Sequence, residues 1–261
     1  MRKLDNPTIE QIDHSFSESR GFGEHKQIAV GLLRRTIDIL ESCSISHQLI
    51  AGTLLGHVRH KGFIPWDDDI DVLVDISILD KLEEIFNNYG EEICILNSES
   101  HLVKFCFKNE GIEVNGKWAH IWHDKIYKNN GEYRWPYVDL FTYRIQDSIA
   151  RKPIVYGNIN SYRGTPQCAI QPEKSKKSMH FFGRDWDTSE FLPVQPADFL
   201  GVNVNIPKNP DYFLKLNYGN EYEAIIKSSH YSHKIEESIP GQIIIDKHFY
   251  DSYLEKKNAQ P

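Results

Sequence analysis

Ile64-Pro65-Trp66-Asp67-Asp68-Asp69-Ile70-Asp71-Val72-Leu73-Val74 is the stretch on which the fold of this chain turns. Side chains of an extended strand alternate between its two faces. From Asp69 onward, that alternation projects Asp69 and Asp71 together and sends Ile70, Val72 and Val74 into a core. Neighbouring carboxylates repel, and a divalent cation offsets the repulsion. Hard oxygen ligands in this arrangement suit magnesium or manganese, which also take phosphate oxygens from a substrate. Asp67 and Asp68, directly after Pro65-Trp66, fit equally well as solvated loop residues. An EF-hand calcium loop shares the opening spacing of Asp67, Asp69 and Asp71 but fails further on. Val72 stands where that loop needs glycine, and Ile78 where it needs a bidentate carboxylate.

Upstream lies Ala51-Gly52-Thr53-Leu54-Leu55-Gly56. The short apolar run 47–51 reads as a strand turning into a helix, with Thr53 as the expected cap. Backbone N–H groups at a helix N-terminus form a natural phosphate cradle; Gly52 permits close approach and the Thr53 hydroxyl adds a donor. This is not a P-loop, because the Gly-Lys-Ser/Thr ending is missing. A glycine turn followed by paired strand aspartates matches the layout of the nucleotidyltransferase fold, in which a third carboxylate comes from a later strand. Asp139, in Pro136-Tyr137-Val138-Asp139-Leu140-Phe141, is the best third candidate. It is a lone carboxylate in an apolar and aromatic run, costly to bury without a partner. A salt bridge to a core arginine is the competing explanation.

Farther out, good helix formers fill 24–42, and Ser77 is placed to cap a helix through Tyr89 whose apolar face carries Leu79, Leu82, Ile85 and Phe86. The runs 92–96, 102–108, 118–123 and 137–143 are rich in β-branched and aromatic residues and predict strands. Residues 150–179 are polar and broken by Pro153, Gly157, Gly164, Pro166 and Pro172, which predicts a loop-rich insertion. A strand over 199–206 and a helix over 211–218, stopped by Gly219, come next. The expected class is α+β: a nucleotidyltransferase-like mixed sheet flanked by helices, with a C-terminal appendage. One domain is expected over residues 1–261, its core at about 25–225.

A formal charge of -7 argues against a nucleic-acid partner, which usually needs a basic stripe. Cys43, Cys94, Cys106 and Cys168 are far apart and lack a CxxC pair, so reduced thiols in a cytoplasmic protein are expected rather than zinc. No run of about 18 apolar residues could span a membrane. A membrane-bound acceptor would therefore be met by peripheral contact. No Gly-x-Ser-x-Gly elbow supports nucleophilic serine chemistry.

The run from Gly52 through Gly56-His57-Val58-Arg59-His60-Lys61-Gly62-Phe63-Ile64-Pro65-Trp66 to Asp71 resembles the signature of the LicD family, which also includes fukutin and fukutin-related protein. Val138-Asp139-Leu140-Phe141 is similar to that family's later Asp-containing strand. Val202–Ile206, Pro207, Asp211-Tyr212, Leu216 and Tyr218-Gly219 resemble its C-terminal pattern. The resemblance implies a nucleotidyltransferase-like fold and transfer of a phosphate-linked small group from a CDP-linked donor. Bacterial members attach phosphocholine to surface glycans, and the animal proteins attach ribitol phosphate. Two departures stand out. His57 occupies a position that is commonly small in the family, and the 118–135 region, with Trp118, His120, Trp122, His123 and Trp135, matches no family pattern.

The expected mechanism places one or two magnesium or manganese ions on Asp69 and Asp71. Asp139 completes the metal site or accepts the proton of the acceptor hydroxyl. Gly52 and Thr53 are expected to hold a donor phosphate, and Arg59 and Lys61 to neutralise the leaving nucleotide. Trp66 and Lys104 complete the expected substrate contacts; surface solvation explains Lys61 about as well, and an exposed strand face explains Lys104 equally well. His120 and His123 are expected to serve packing or stacking rather than metal binding. Partners are then a CDP-linked donor and a glycan or glycolipid acceptor. Two alternatives stand beside this reading: transfer of NMP from an NTP to a small molecule or protein, and a non-catalytic glycan-binding relative.

Overall fold

The acidic strand, Ile70–Asp75, sits inside a seven-stranded mixed sheet. The computed structural model describes residues 2–3, 6–17, 21–97, 102–114, 133–147, 177–227, 230–235, 237–239 and 243–259. On one side the acidic strand pairs antiparallel with His47–Leu49, on the other parallel with Tyr137–Asp147. Tyr137–Asp147 is long enough to serve two further partners. Its first half takes Leu102–Phe107, which in turn carries Ile93–Asn97; its last residues take Lys177–Phe181, extended by Arg184–Asp187. The α+β class expected from the sequence is the class observed.

Helices are α1 (Ile9–Ser17), α2 (Lys26–Ser42), α3 (Ala51–His60), α4 (Ile78–Tyr89), α5 (Thr188–Phe191), α6 (Pro210–Tyr218) and α7 (Lys247–Asn258). Helix α2 buries Ala29, Leu32, Leu33, Thr36, Ile37 and Leu40, a stripe at helical spacing that packs on the sheet. Helix α4 does the same with Ile78, Leu82 and Ile85. The buried apolar cluster runs from Ile12 to Tyr253, and Phe213, Leu214, Tyr222, Ile225, Ile245 and Tyr250 belong to it. The C-terminal appendage is thus packed into the core.

Several local expectations need correction. Helix α3 begins at Ala51, with Ile50 at its cap, so Thr53 lies inside the first turn and does not cap it. Residues 199–206 do not form one strand. Gln195–Phe199 and Val202–Ile206 form a hairpin that turns at Leu200 and Gly201, both at positive φ. Ser77 stands at the cap of α4 without using its hydroxyl; Asp75 Oδ1 accepts from its N–H instead. Leu73, on the same face as Asp71, is as buried as Ile70, Val72 and Val74, so the sheet is covered on both faces at this point of the strand.

Residues 118–123 and 150–176 lie outside the described residues, and with them the expectations for Trp118, His120, Trp122 and His123 and for most of the loop-rich insertion. Residues 177–179 open the Lys177–Phe181 strand. Cys43, Cys94 and Cys106 are buried thiols. Among the described residues no helix is long and apolar enough to cross a membrane.

Candidate active site

Parallel register brings Asp71 directly beside Asp139, and antiparallel register brings Lys104 beside Asp139 on its other flank. Residues opposite one another in a sheet share a face, so the three side chains form one row. Asp69 adds a third carboxylate from just before the strand. Ligand oxygens of Asp69, Asp71 and Asp139 all lie within 4.8 Å of one another. Asp71 and Asp139 are buried, whereas the Asp69 side chain keeps 17% of its surface exposed. The cluster therefore opens to solvent on the Asp69 side.

The glycine turn holds this cluster from below. Gly52 N–H donates to Asp71 Oδ2 at 2.9 Å, and Thr53 Oγ1 accepts from the Asp71 N–H at 2.7 Å. A Cβ at Gly52 would stand 2.6 Å from Asp67 Oδ2 and 3.3 Å from Asp71 Oδ2. Gly52 is thus required for the close approach of two carboxylates. Both groups expected to cradle a phosphate are directed at the acidic strand instead.

Burial, together with the charges of Asp69, Asp139 and Asp67, pushes the Asp71 carboxyl well above the usual carboxylate range. Burial also raises Asp139, against the pull of Lys104 and His233. Lys104 Nζ forms a buried ion pair with Asp139 Oδ1 and lies 3.6 Å above the centre of the Tyr137 ring. The competing explanation for Asp139, a basic partner, is therefore present as a lysine rather than an arginine, and Lys104 faces the carboxylate cluster, not solvent. An all-oxygen donor set of three converging carboxylates, only partly offset by Lys104, fits a hard divalent cation such as magnesium or manganese.

Comparison with known proteins identifies the family. Residues 44–209 match the family model described as LicD/FKTN/FKRP, nucleotidyltransferase domain. The chain belongs to the LicD family. Over 242 residues it is 28% identical to the lipopolysaccharide cholinephosphotransferase LicD of Haemophilus influenzae, covering 84% of this chain and 83% of that protein. An uncharacterized protein of Rickettsia typhi, RT0683, is 26% identical over 204 residues, covering 72% of this chain and 64% of that protein. Membership makes the chain a phosphotransferase of the LicD type.

Other residues of the LicD motif are used structurally. Arg59 is buried, and its Nη1 donates to the carbonyls of Tyr222 and Ala224, at 3.0 and 2.9 Å. The guanidinium expected on a leaving nucleotide is spent on the C-terminal chain. Trp66 is buried edge-on to His60 and Tyr250 of α7, so its ring is packing. Lys61 ends α3 in the left-handed conformation and donates to Val58 O at 3.1 Å. His57 is half-buried, its pKa lowered by burial and Lys61.

Two groups beside the cluster were not among the expected site residues. The Asp68 carboxylate, buried, accepts from Ser232 Oγ (2.8 Å), His233 Nδ1 (3.0 Å), and the N–H groups of His233 (3.2 Å) and Lys234 (3.3 Å). His233 Nε2 then stands 3.8 Å from Asp69 Oδ2. Burial disfavours a charged His233, but Asp69 and Asp68 outweigh it and raise its pKa to about 9. Tyr218, at the end of α6, is held protonated by burial and by Asp71, Asp67 and Asp69, which puts its hydroxyl in the field of the cluster. The Tyr218-Gly219 pair was visible in the sequence as a helix stop, and nothing local linked it to the acidic strand.

Proposed function

We propose that this LicD-family enzyme transfers a phosphate-linked small group, of the phosphocholine or alditol-phosphate kind, from a CDP-linked donor to a glycan hydroxyl, with magnesium or manganese held by Asp69, Asp71 and Asp139. The observation that carries the reading is the convergence of three carboxylates within 4.8 Å, open on the Asp69 side. The name of the Haemophilus influenzae relative supports a phosphocholine-type group and a glycolipid acceptor. With no membrane-spanning helix among the described residues, a cytoplasmic enzyme meeting that acceptor at a membrane surface is the compatible arrangement.

In the step itself, the acceptor hydroxyl oxygen bonds to the distal phosphorus of the donor. The bond between that phosphorus and the bridging oxygen breaks, CMP leaves, and the hydroxyl proton passes to a base. Such chemistry needs positioning and charge neutralisation more than covalent catalysis. A bound divalent ion would supply the counter-charge for the donor diphosphate. Asp71 is held for ligation by Gly52 N–H and by its own N–H on Thr53. Lys104 keeps Asp139 oriented and ionised against burial. Asp139, whose proton affinity burial raises, either completes the ligand set or takes the acceptor proton.

The nucleotidyltransferase description of the family supports a second reading, NMP transfer from an NTP at the same carboxylates. Product analysis with CDP-choline, CDP-ribitol and CTP separates the two. We expect CMP release from one CDP-linked donor, dependent on magnesium or manganese. Pyrophosphate release from CTP alone would establish the second reading. If Asp69→Asn and Asp71→Asn leave metal-dependent donor binding and turnover unchanged, the catalytic assignment gives way to a glycan-binding relative.

A further inference from the structure

The family model ends at residue 209, yet the acidic cluster is walled by residues 232–234. Alternation explains how. In the run 67–71 the odd-numbered aspartates converge at Gly52 and Asp139, and the intervening Asp68 turns away from them toward the C-terminal chain. There its carboxylate is enclosed by four donor contacts from three consecutive residues, two of them backbone N–H groups. The main-chain oxygen of Asp68 accepts from Trp135 Nε1 at 2.6 Å. Lys234 Nζ lies 5.3 Å from the centre of that same Trp135 ring. One residue therefore joins the acidic strand, the entrance to the Asp139 strand and the C-terminal segment.

The consequence is the place of His233. It lies edge-on to Tyr137, 5.6 Å between ring centres, with Nδ1 on Asp68 and Nε2 toward Asp69. Its side chain is 20% exposed, next to the one carboxylate of the trio that is open to solvent. The imidazole therefore flanks the solvent-open side of the cluster. We infer that the C-terminal residues Ser232, His233 and Lys234 are part of the LicD-type active site: Asp68 is a positioning residue that clasps them, and His233 is the group it delivers to contact the entering substrate at the mouth. This rests on the phosphotransfer reading above, and goes beyond it by adding a wall from outside the family's matched domain.

Four variants of the full chain test it: Asp68→Asn, Ser232→Ala, His233→Ala and His233→Gln. Amide hydrogen exchange over 230–239, Mn2+ affinity of the substrate-free protein, and separate kcat and KM for the CDP-linked donor are measured on each. Asp68→Asn should speed exchange over 230–239 and raise donor KM about tenfold or more, with Mn2+ affinity held within about threefold. His233→Ala should reproduce the KM change with an exchange change no larger than that of Ser232→Ala, and His233→Gln should recover part of the KM change. Ser232→Ala, which removes one donor only, gives the same signs at smaller size and keeps the test alive should Asp68→Asn fail to fold. A purely structural clasp would lower thermal stability and the active fraction while leaving KM alone. That outcome, or wild-type kinetics for His233→Ala, overturns the inference and leaves the carboxylate reading standing. A wild-type chain that binds no Mn2+ and turns over no donor overturns both.

Discussion

The sheet row of Asp71, Asp139 and Lys104 and the rim of Asp68, Ser232 and His233 meet the same electrostatic problem by different means. In the row, charge is set beside charge by strand register, and a slip of one residue would turn every side chain of the strand to the opposite face. In the rim, a carboxylate is matched by donors from a segment 164 residues away in sequence. Row contacts can be lost only by disturbing the sheet. Rim contacts can be lost by releasing one segment, so the two regions should answer mutation differently.

The largest expected contrast lies within the row. Asp71→Asn should lower turnover on the order of 10³-fold or more while raising the melting temperature of the metal-free protein, since it removes a buried like charge. Asp139→Asn should abolish turnover as severely but destabilise by about 3–5 kcal/mol, because it strands Lys104 without a carboxylate. Activity assays and thermal melts of both variants check this. If both variants melt higher than wild type, the Lys104 pairing is wrong.

Acidity gives the next test. The folded-state pKa of Asp71 is raised, so its stabilisation is complete below the ordinary carboxylate range and is lost as pH rises through the elevated value. His233 acts in the same direction, its share being lost as pH climbs from the usual imidazole value through about 9. The metal-free protein should therefore lose stability at this site on alkalinisation. The gain in melting temperature from magnesium should grow from pH 5 to pH 8 as ligand protons leave. A magnesium effect that is constant or shrinks with pH would contradict the burial of the row.

A smaller effect is expected at Gly52. Gly52→Ala should leave stability within about 1 kcal/mol, since alanine favours the helix, the tip of Asp67 swings away and Asp71 Oδ2 gives by a few tenths of an ångström. Divalent-ion affinity should fall about tenfold, because that tip belongs beside the cluster. Calorimetric Mn2+ titration alongside a melt separates the two readouts. The smallest effects concern the motif's own cations. Arg59→Met should cost about 1–3 kcal/mol through its two stranded carbonyls with donor KM unchanged, and Lys61→Ala should stay within about 0.5 kcal/mol. A rise in KM for either would return it to the donor site.

The row was legible in the chain because its signals are local. Period-two alternation from Asp69 to Val74 placed the two aspartates, a lone carboxylate among apolar residues marked Asp139, and Gly219 stopped α6 where expected. Errors clustered where a residue's partner comes from elsewhere. Arg59 and Trp66 sit in the family motif and read as substrate contacts, but chain segments near 222 and 250 consume them. Lys104 in mid-strand read equally as a substrate contact and as an exposed strand residue until the register put it beside Asp139.

By itself the sequence determined the strand that carries the acid, the glycine turn beneath it and the third carboxylate, since each follows from backbone geometry or burial cost within a few residues. Tertiary structure alone decided that Asp68 faces away from its neighbours to clasp residues 232–234 and that His233 flanks Asp69. Those contacts depend on which distant segments dock on the sheet, and docking is set by the packing of the whole core, which no local pattern encodes.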